Sequence, residues 1–263
     1  MDGLKQRSRS AFKNDTGAQI GIGTLIIFIA MILIASVAAA VMIQTAGVLR
    51  EQAAQTGTHA SHEVSSNVMI RNIEGHRANS TSEGISSTVD LLKINVGLHV
   101  GTRELDVGQT IITVSDGSNT NTLVYAGNDA IYGTAMDNFG ASASLNLERL
   151  INSTTEIHGV NENNSKIFFT ANKFRDEDGS FTQNNPLMNK GDLISFYVST
   201  VSDEASSYNS LYGYETELKS SGLEIEPRTR MQVVISSEYG PDVFLNFYTP
   251  SSYGVNRIVG LYP

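Results

Sequence analysis

Between Ile20 and Ile43 the chain reads IGIGTLIIFIAMILIASVAAAVMI, with no charged residue and only Gly, Thr and Ser diluting the apolar side chains. A helix rising about 1.5 Å per residue carries this stretch across a hydrocarbon core of about 30 Å. Ile26, Ile27, Phe28, Ile29, Met31, Ile32, Leu33 and Ile34 fall on every face of such a helix and not on one stripe. That pattern excludes the surface helix of a water-soluble domain and demands lipid or other helices all round. A plain single-pass anchor also satisfies hydropathy alone, so the flanking residues have to decide.

The segment before it, MDGLKQRSRSAFKNDTG, carries Lys5, Arg7, Arg9 and Lys13 against Asp2 and Asp15. Positive charge beside an apolar segment keeps that flank in the cytoplasm and sends the chain after Ile43 outward. A secretory signal places its small-residue cleavage site after a short apolar region. Here the small-residue junction near the charges, Gly17-Ala18, precedes the apolar run. Cutting there removes the basic leader and makes the apolar helix the new N-terminus. A subunit stored in the bilayer would thereby become extractable and available to a polymer.

Beyond Ile43, residues Gln44 to Gly57 are rich in helix formers and end in a Gly suited to closing a helix. The expectation is a single helix of about 35 to 40 residues, apolar in its first part and amphipathic in its second. Ala35 with Ala39, and Ser36 with Ala40, are small residues four apart. This spacing lets helix backbones approach where lipid is as apolar as Leu and hydrophobicity cannot drive association. Gly21 and Gly23 permit close packing or a bend, and with no strand before them they carry no nucleotide signature.

Asp15-Thr16-Gly17-Ala18, Gly21-Ile22-Gly23-Thr24-Leu25-Ile26, Phe28-Ile29-Ala30-Met31 and the Ala38-Ala39-Ala40 run together resemble the N-terminus of an archaellin, the archaeal flagellin precursor. The resemblance covers the chain through about Gly57 and returns in Pro227-Arg228-Thr229 and Leu261-Tyr262-Pro263. It implies a class III, type IV pilin-like signal cut by a dedicated membrane peptidase, with Gly17 matching the residue before the cut. Bacterial type IV pilins usually have Glu at the fifth mature position. Ile22 stands there instead, which favours an archaellin.

From about Ser61 the pattern changes to β. Val64 to Ile73, Val89 to Val100, Thr110 to Ser115, Thr122 to Tyr125, Lys166 to Thr170, Leu193 to Thr200, Thr229 to Ser236 and Val243 to Tyr248 read as strands. Asp116-Gly117-Ser118-Asn119 reads as a hairpin turn, and Ser144 to Asn152 as a short helix. Short strands with regular turn signals predict an antiparallel, immunoglobulin-like β-sandwich or barrel after the helix, an α+β chain overall. The archaellin resemblance implies the same outer domain. The expected organisation is a leader over residues 1–17, a filament-core helix over 18–57 that spans the membrane before assembly, and a surface β domain over 58–263.

Motifs of chemistry are absent: no nucleophile elbow, no phosphate loop and no His-Glu-x-x-His helix, so no catalytic residue is predicted. His59 and His62 beside Glu63 have a spacing open to metal, against the simpler reading of a solvated loop. Asp176, Asp178 and Gly179 resemble the front of a calcium loop, but Asn185 stands where the closing Glu belongs. A polar turn there is the plainer reading, with a structural metal ion as the alternative; no other cofactor is expected. Asn79, Asn152 and Asn163 each open an N-glycosylation triplet, and the resembled family is often N-glycosylated; Asn14 also fits but lies in the leader. A net charge of -9 argues against nucleic acid as a partner and suits an exposed surface. Without cysteine, an extracellular chain relies on its core and on burial in an assembly.

Two functions fit these residues. The first is the structural subunit of an archaellum filament at the cell surface. It would polymerise with itself or other archaellins through its helix, mature through a prepilin-type peptidase, and be turned by the archaellum motor for swimming. The second is an adhesive type IV-like pilin or an anchored surface-binding module on the same helix. Enzymatic function is not expected.

Overall fold

The structure is a computed structural model that describes the backbone of residues 16–65, 68–80, 84–99 and 104–263. The leader cations Lys5, Arg7, Arg9 and Lys13, Asn14 and Asp15 of the Asn14 triplet, and Thr81 of the Asn79 triplet lie outside the described residues. The chain divides into two compact units, residues 1–59 and 60–263.

Helix α1 runs from Thr16 to Ser65, 50 residues and about 75 Å of rise. It passes through Gly57, where the sequence predicted its end. A Gly closes a helix by adopting positive φ, and Gly57 is not among the positive-φ glycines. Left helical, it costs only about 1 kcal/mol, which neighbouring helix formers such as Ala60 and Glu63 offset. His59, His62 and Glu63 are therefore on a helix and not in a loop, and Val64 lies in the last turn of that helix instead of opening a strand.

The second unit is built on one nine-stranded sheet. Its strands are β1 (Val68–His76), β2 (Leu91–Leu98), β3 (Ile111–Ser115), β4 (Thr120–Tyr125), β5 (Phe168–Arg175), β6 (Leu193–Ser199), β7 (Arg230–Ser236), β8 (Val243–Tyr248) and β9 (Ile258–Tyr262). They lie in the order β8-β7-β3-β4-β5-β6-β2-β1-β9. The two ends of the sheet come back together, with the Phe247 ring of β8 and the Tyr262 ring of β9 6.3 Å apart, so the sheet curls nearly into a barrel. The ladders are antiparallel except one: β5 runs parallel to β4, pairing Phe168 with Val124 and Phe169 with Tyr125. Parallel neighbours need a long crossover. Here it contains helix α2, Ala143–Asn152, and the single turn α3, Asn164–Ile167. Lys166 and Ile167, expected at the start of a strand, belong to that turn.

The crossover explains the apolar runs at the sheet's centre. Leu123, Tyr125, Phe169, Phe196 and Val198 fill the barrel interior, while their neighbours Val124, Phe168 and Tyr197 join Leu147, Leu150 and Ile151 of α2 in a second core on the other face. A strand covered on both faces loses polar alternation, as Leu123-Val124-Tyr125-Ala126 does. The predicted hairpin joins β3 to β4. Asp116 Oδ1 accepts from the N–H groups of Ser118 at 2.7 Å and Asn119 at 2.6 Å, and Gly117 supplies the positive φ of 93°.

A polar seam ties the last strand to the first. The N–H of Arg77, just past β1, donates to the Arg257 carbonyl at 2.9 Å. Its guanidinium donates to the carbonyls of Ser86, Gly254 and Asn256. Beside it Asp90, fully buried, accepts from Ala78 N–H at 2.7 Å and the Thr88 hydroxyl at 2.7 Å.

Candidate functional site

The site is the helix itself. Large apolar side chains along α1 stand open in the isolated chain: Phe28 is 62% exposed, Ile34 70% and Ile43 74%, and these three point in different directions around the axis. Nothing in a folded monomer in water stabilises such a surface; lipid or other helices must cover it. The hydroxyls in the run, Thr24 and Ser36, and Thr45 just past it are already paired. Thr24 donates to the Gly21 carbonyl at 2.9 Å, Ser36 to Leu33 at 2.8 Å and Thr45 to Val41 at 2.6 Å. Each hydroxyl therefore enters an apolar surrounding with its donor satisfied.

The predicted small positions are notches in this surface. A Cβ at Gly21 or Gly23 would meet nothing within 4 Å, so either position admits a close neighbour from outside. Ala35 with Ala39, and Ser36 with Ala40, each span one helical turn and stack on one side. Gly47, outside the predicted set, stands in open space as well. Eleven residues make about three turns, so Gly47 returns to the side of Ser36; a search at spacing four cannot see it.

Gly17 and Ala18 lie in the first turn of α1, and their side-chain surroundings are outside the described residues, as are those of His59, His62 and Glu63. In the second unit, Asn79 is half-buried in a short ribbon with Ile85 and Ser210. Asn152 ends α2, where its amide donates to Thr216 Oγ1 at 3.0 Å, and Asn163 donates to the Ser220 carbonyl at 2.8 Å. The three triplets are thus dispersed over the domain.

Asp176 and Asp178 do come together, and a third carboxylate joins them. The groups of Asp176, Asp178 and Asp192 lie within 4.8 Å of one another. Asp192 arrives from the loop before β6, at a sequence separation no short motif spans. Hydrogen bonds from Asn189 and then Ser180 pull the Asp178 carboxyl down to about 2, while burial, opposed by the Asn189 N–H, pushes Asp192 up, and the Asp178 and Asp176 charges push it further. Lys173 Nζ, 2.9 Å from Asp176 Oδ2, neutralises part of the cluster.

The comparisons agree with this anatomy. Residues 18–245 match the family described as archaeal-type flagellin. Flagellin B3 of Thermococcus kodakarensis is 32% identical over 242 residues, which cover 89% of this chain and 93% of that protein. Flagellin B3 of Methanocaldococcus jannaschii is 32% identical over 246 residues, covering 92% and 94%. The solved archaeal flagellum of Methanospirillum hungatei strain JF1 shares the fold, with a TM-score of 0.51 at 11% identity over 92% of this chain and 99% of that one. A structural filament protein, not an enzyme, is what such relatives represent. An all-round apolar helix followed by a curled, mostly antiparallel sheet, matched from its eighteenth residue onward, belongs to the archaeal-type flagellin family.

Proposed function

We propose that the chain is a structural subunit of an archaeal flagellum filament, polymerising through α1 with copies of itself or other flagellins and carrying its β domain on the cell surface. The observation that carries this reading is the helix whose apolar side chains are exposed on every side. Before assembly the helix spans the cytoplasmic membrane with the C-terminus outside, and a prepilin-type peptidase cuts between Gly17 and Ala18. Support for the cut comes from the family match, which begins at Ala18. Once the four leader cations are gone, moving the helix out of lipid exchanges one apolar surrounding for another. Close packing at Gly21, Gly23, Ala35, Ser36, Ala39 and Ala40 then decides the association. A membrane motor turns the filament for swimming. Asn79, Asn152 and Asn163 are its glycan acceptors, and Asp176 and Asp178, with Asp192, are the carboxylates to test for a structural cation.

Electron microscopy of sheared surface filaments, followed by intact mass measurement of the subunit, tests the reading. A filament subunit beginning at Ala18 is expected. Filaments that lack this chain, or that contain it beginning at Met1, would overturn it.

A further inference from the structure

We propose that the outer face of β7 and β8 docks a second copy of this chain, which presents an acid-rich loop surface to it. Strand β8 alternates cleanly. Val243, Leu245 and Phe247 pack toward the core, and Phe244, Asn246 and Tyr248 point out. Phe244 is 64% exposed and Tyr248 69%, two outward aromatics on one strand. Their cross-strand partners on β7 are Val234, opposite Phe244, Gln232, opposite Asn246, and Arg230, opposite Tyr248. These six residues form one continuous face with two aromatics, one cation and no carboxylate, and the adjoining outward residues of β3 and β4 are Thr and Ser. Acids flank it at both ends: Glu238 and Asp242 stand in the turn between the two strands, and exposed Glu226, whose carbonyl accepts from the Thr229 N–H and the Thr249 hydroxyl, stands beside the Arg230–Tyr248 pair.

Charge selects the occupant. With 27 acids against 18 Lys and Arg, copies of this chain repel one another wherever acidic faces meet. The acid-free face is where a neighbour approaches without that penalty, and exposed aromatics beside an Arg are the side chains that anchor protein interfaces. The symmetry of the contact follows as well. If the face met its own counterpart, the contact would be isologous and would close a dimer. An open filament needs one surface against a different one. The complementary surface on the same domain is the loop region after β6, where Asp203, Glu204, Glu215 and Glu217 are all exposed. The inference rests on the filament reading, because the filament supplies neighbouring copies of the β domain at high local concentration.

The chain has no cysteine, so Tyr248→Cys provides a single thiol. Filaments of that variant, labelled on the cell with benzophenone maleimide and irradiated, should yield cross-links between position 248 and the loops over residues 203–217 of another copy. Intermolecular cross-links confined to other segments or to a different protein, or none at all, would overturn the docking assignment. Arg230→Glu places like charge against those loops, so its filaments should release about tenfold more free subunit under mild heating. Release equal to wild type would refute the charge argument even if the cross-link formed. If surface filaments do not contain this chain, the filament reading fails and this inference with it. Genuine filaments without the 248 cross-link sink the docking alone.

Discussion

Asp90 is the residue whose replacement gives the sharpest test of the β domain. Burial pushes its carboxyl up from 3.8 to about 6, against the opposing hydrogen bonds from the Ala78 N–H and the Thr88 hydroxyl. The guanidinium of nearby Arg77 spends its hydrogen bonds on carbonyls instead. In the unfolded chain the group titrates near 3.8, so between about pH 4 and 6 the folded state binds the extra proton. Stability contributed by Asp90 therefore rises as pH falls from about 6 to about 4 and is lost as pH rises through about 6. Two pH units at about 1.4 kcal/mol each make this about 3 kcal/mol. His76 acts in the opposite sense. Its imidazole is held below the usual value by burial, against the nearby Glu74 charge, so acid favours the unfolded state through it. The clean quantity is therefore the difference between wild type and Asp90→Asn, in which His76 cancels. Urea unfolding of detergent-solubilised full-length subunit, followed by tyrosine fluorescence from pH 4 to 8, measures it. Wild type should gain about 3 kcal/mol on the variant between pH 7 and pH 4. A pH-independent difference, or one of opposite slope, would refute the account of a buried carboxylate ionised at a cost.

Gly17→Val should leave an uncut precursor in the membrane fraction with its C-terminus outside, since a pocket shaped for Gly excludes the larger side chain and the cations still set topology. Cell fractionation with intact mass measurement reads this, and cut protein in filaments would contradict it. Ala39→Leu should insert normally, because lipid accepts Leu, yet weaken helix packing by about 1 to 3 kcal/mol per overfilled contact. Filaments as heat-resistant as wild type would show that the small positions are incidental. Phe169→Ala removes a fully buried ring that lies 5.7 Å from Tyr125 and 5.4 Å from Phe196. It should cost about 3 to 5 kcal/mol in the same urea assay, and a loss under about 1 kcal/mol would mean that the barrel interior repacks around the gap.

The sequence by itself determined whatever depends on a local period or a short motif. An unbroken apolar run such as Ile20 to Ile43 demands cover on every face wherever it occurs, from lipid or from other helices, because water cannot solvate it. Likewise β3, the Asp116 turn and β4 were legible, since alternation and an Asx side chain act within a few residues. The end of α1 was not, because Gly57 is compatible both with closing a helix and with continuing one, and helix formers around it tip the balance. Strand β9, and two-residue strands such as Leu105–Asp106 and Leu187–Met188, depend on partners far along the chain. The same holds for the parallel β4–β5 ladder, which exists because α2 covers that face. Asp192 joins Asp176 and Asp178 only through the turn before β6, and the Phe244–Tyr248 face becomes one surface only when β7 pairs with β8 in its observed register. Local chemistry is written in consecutive residues, whereas which edges and faces meet is decided by the closure of the sheet.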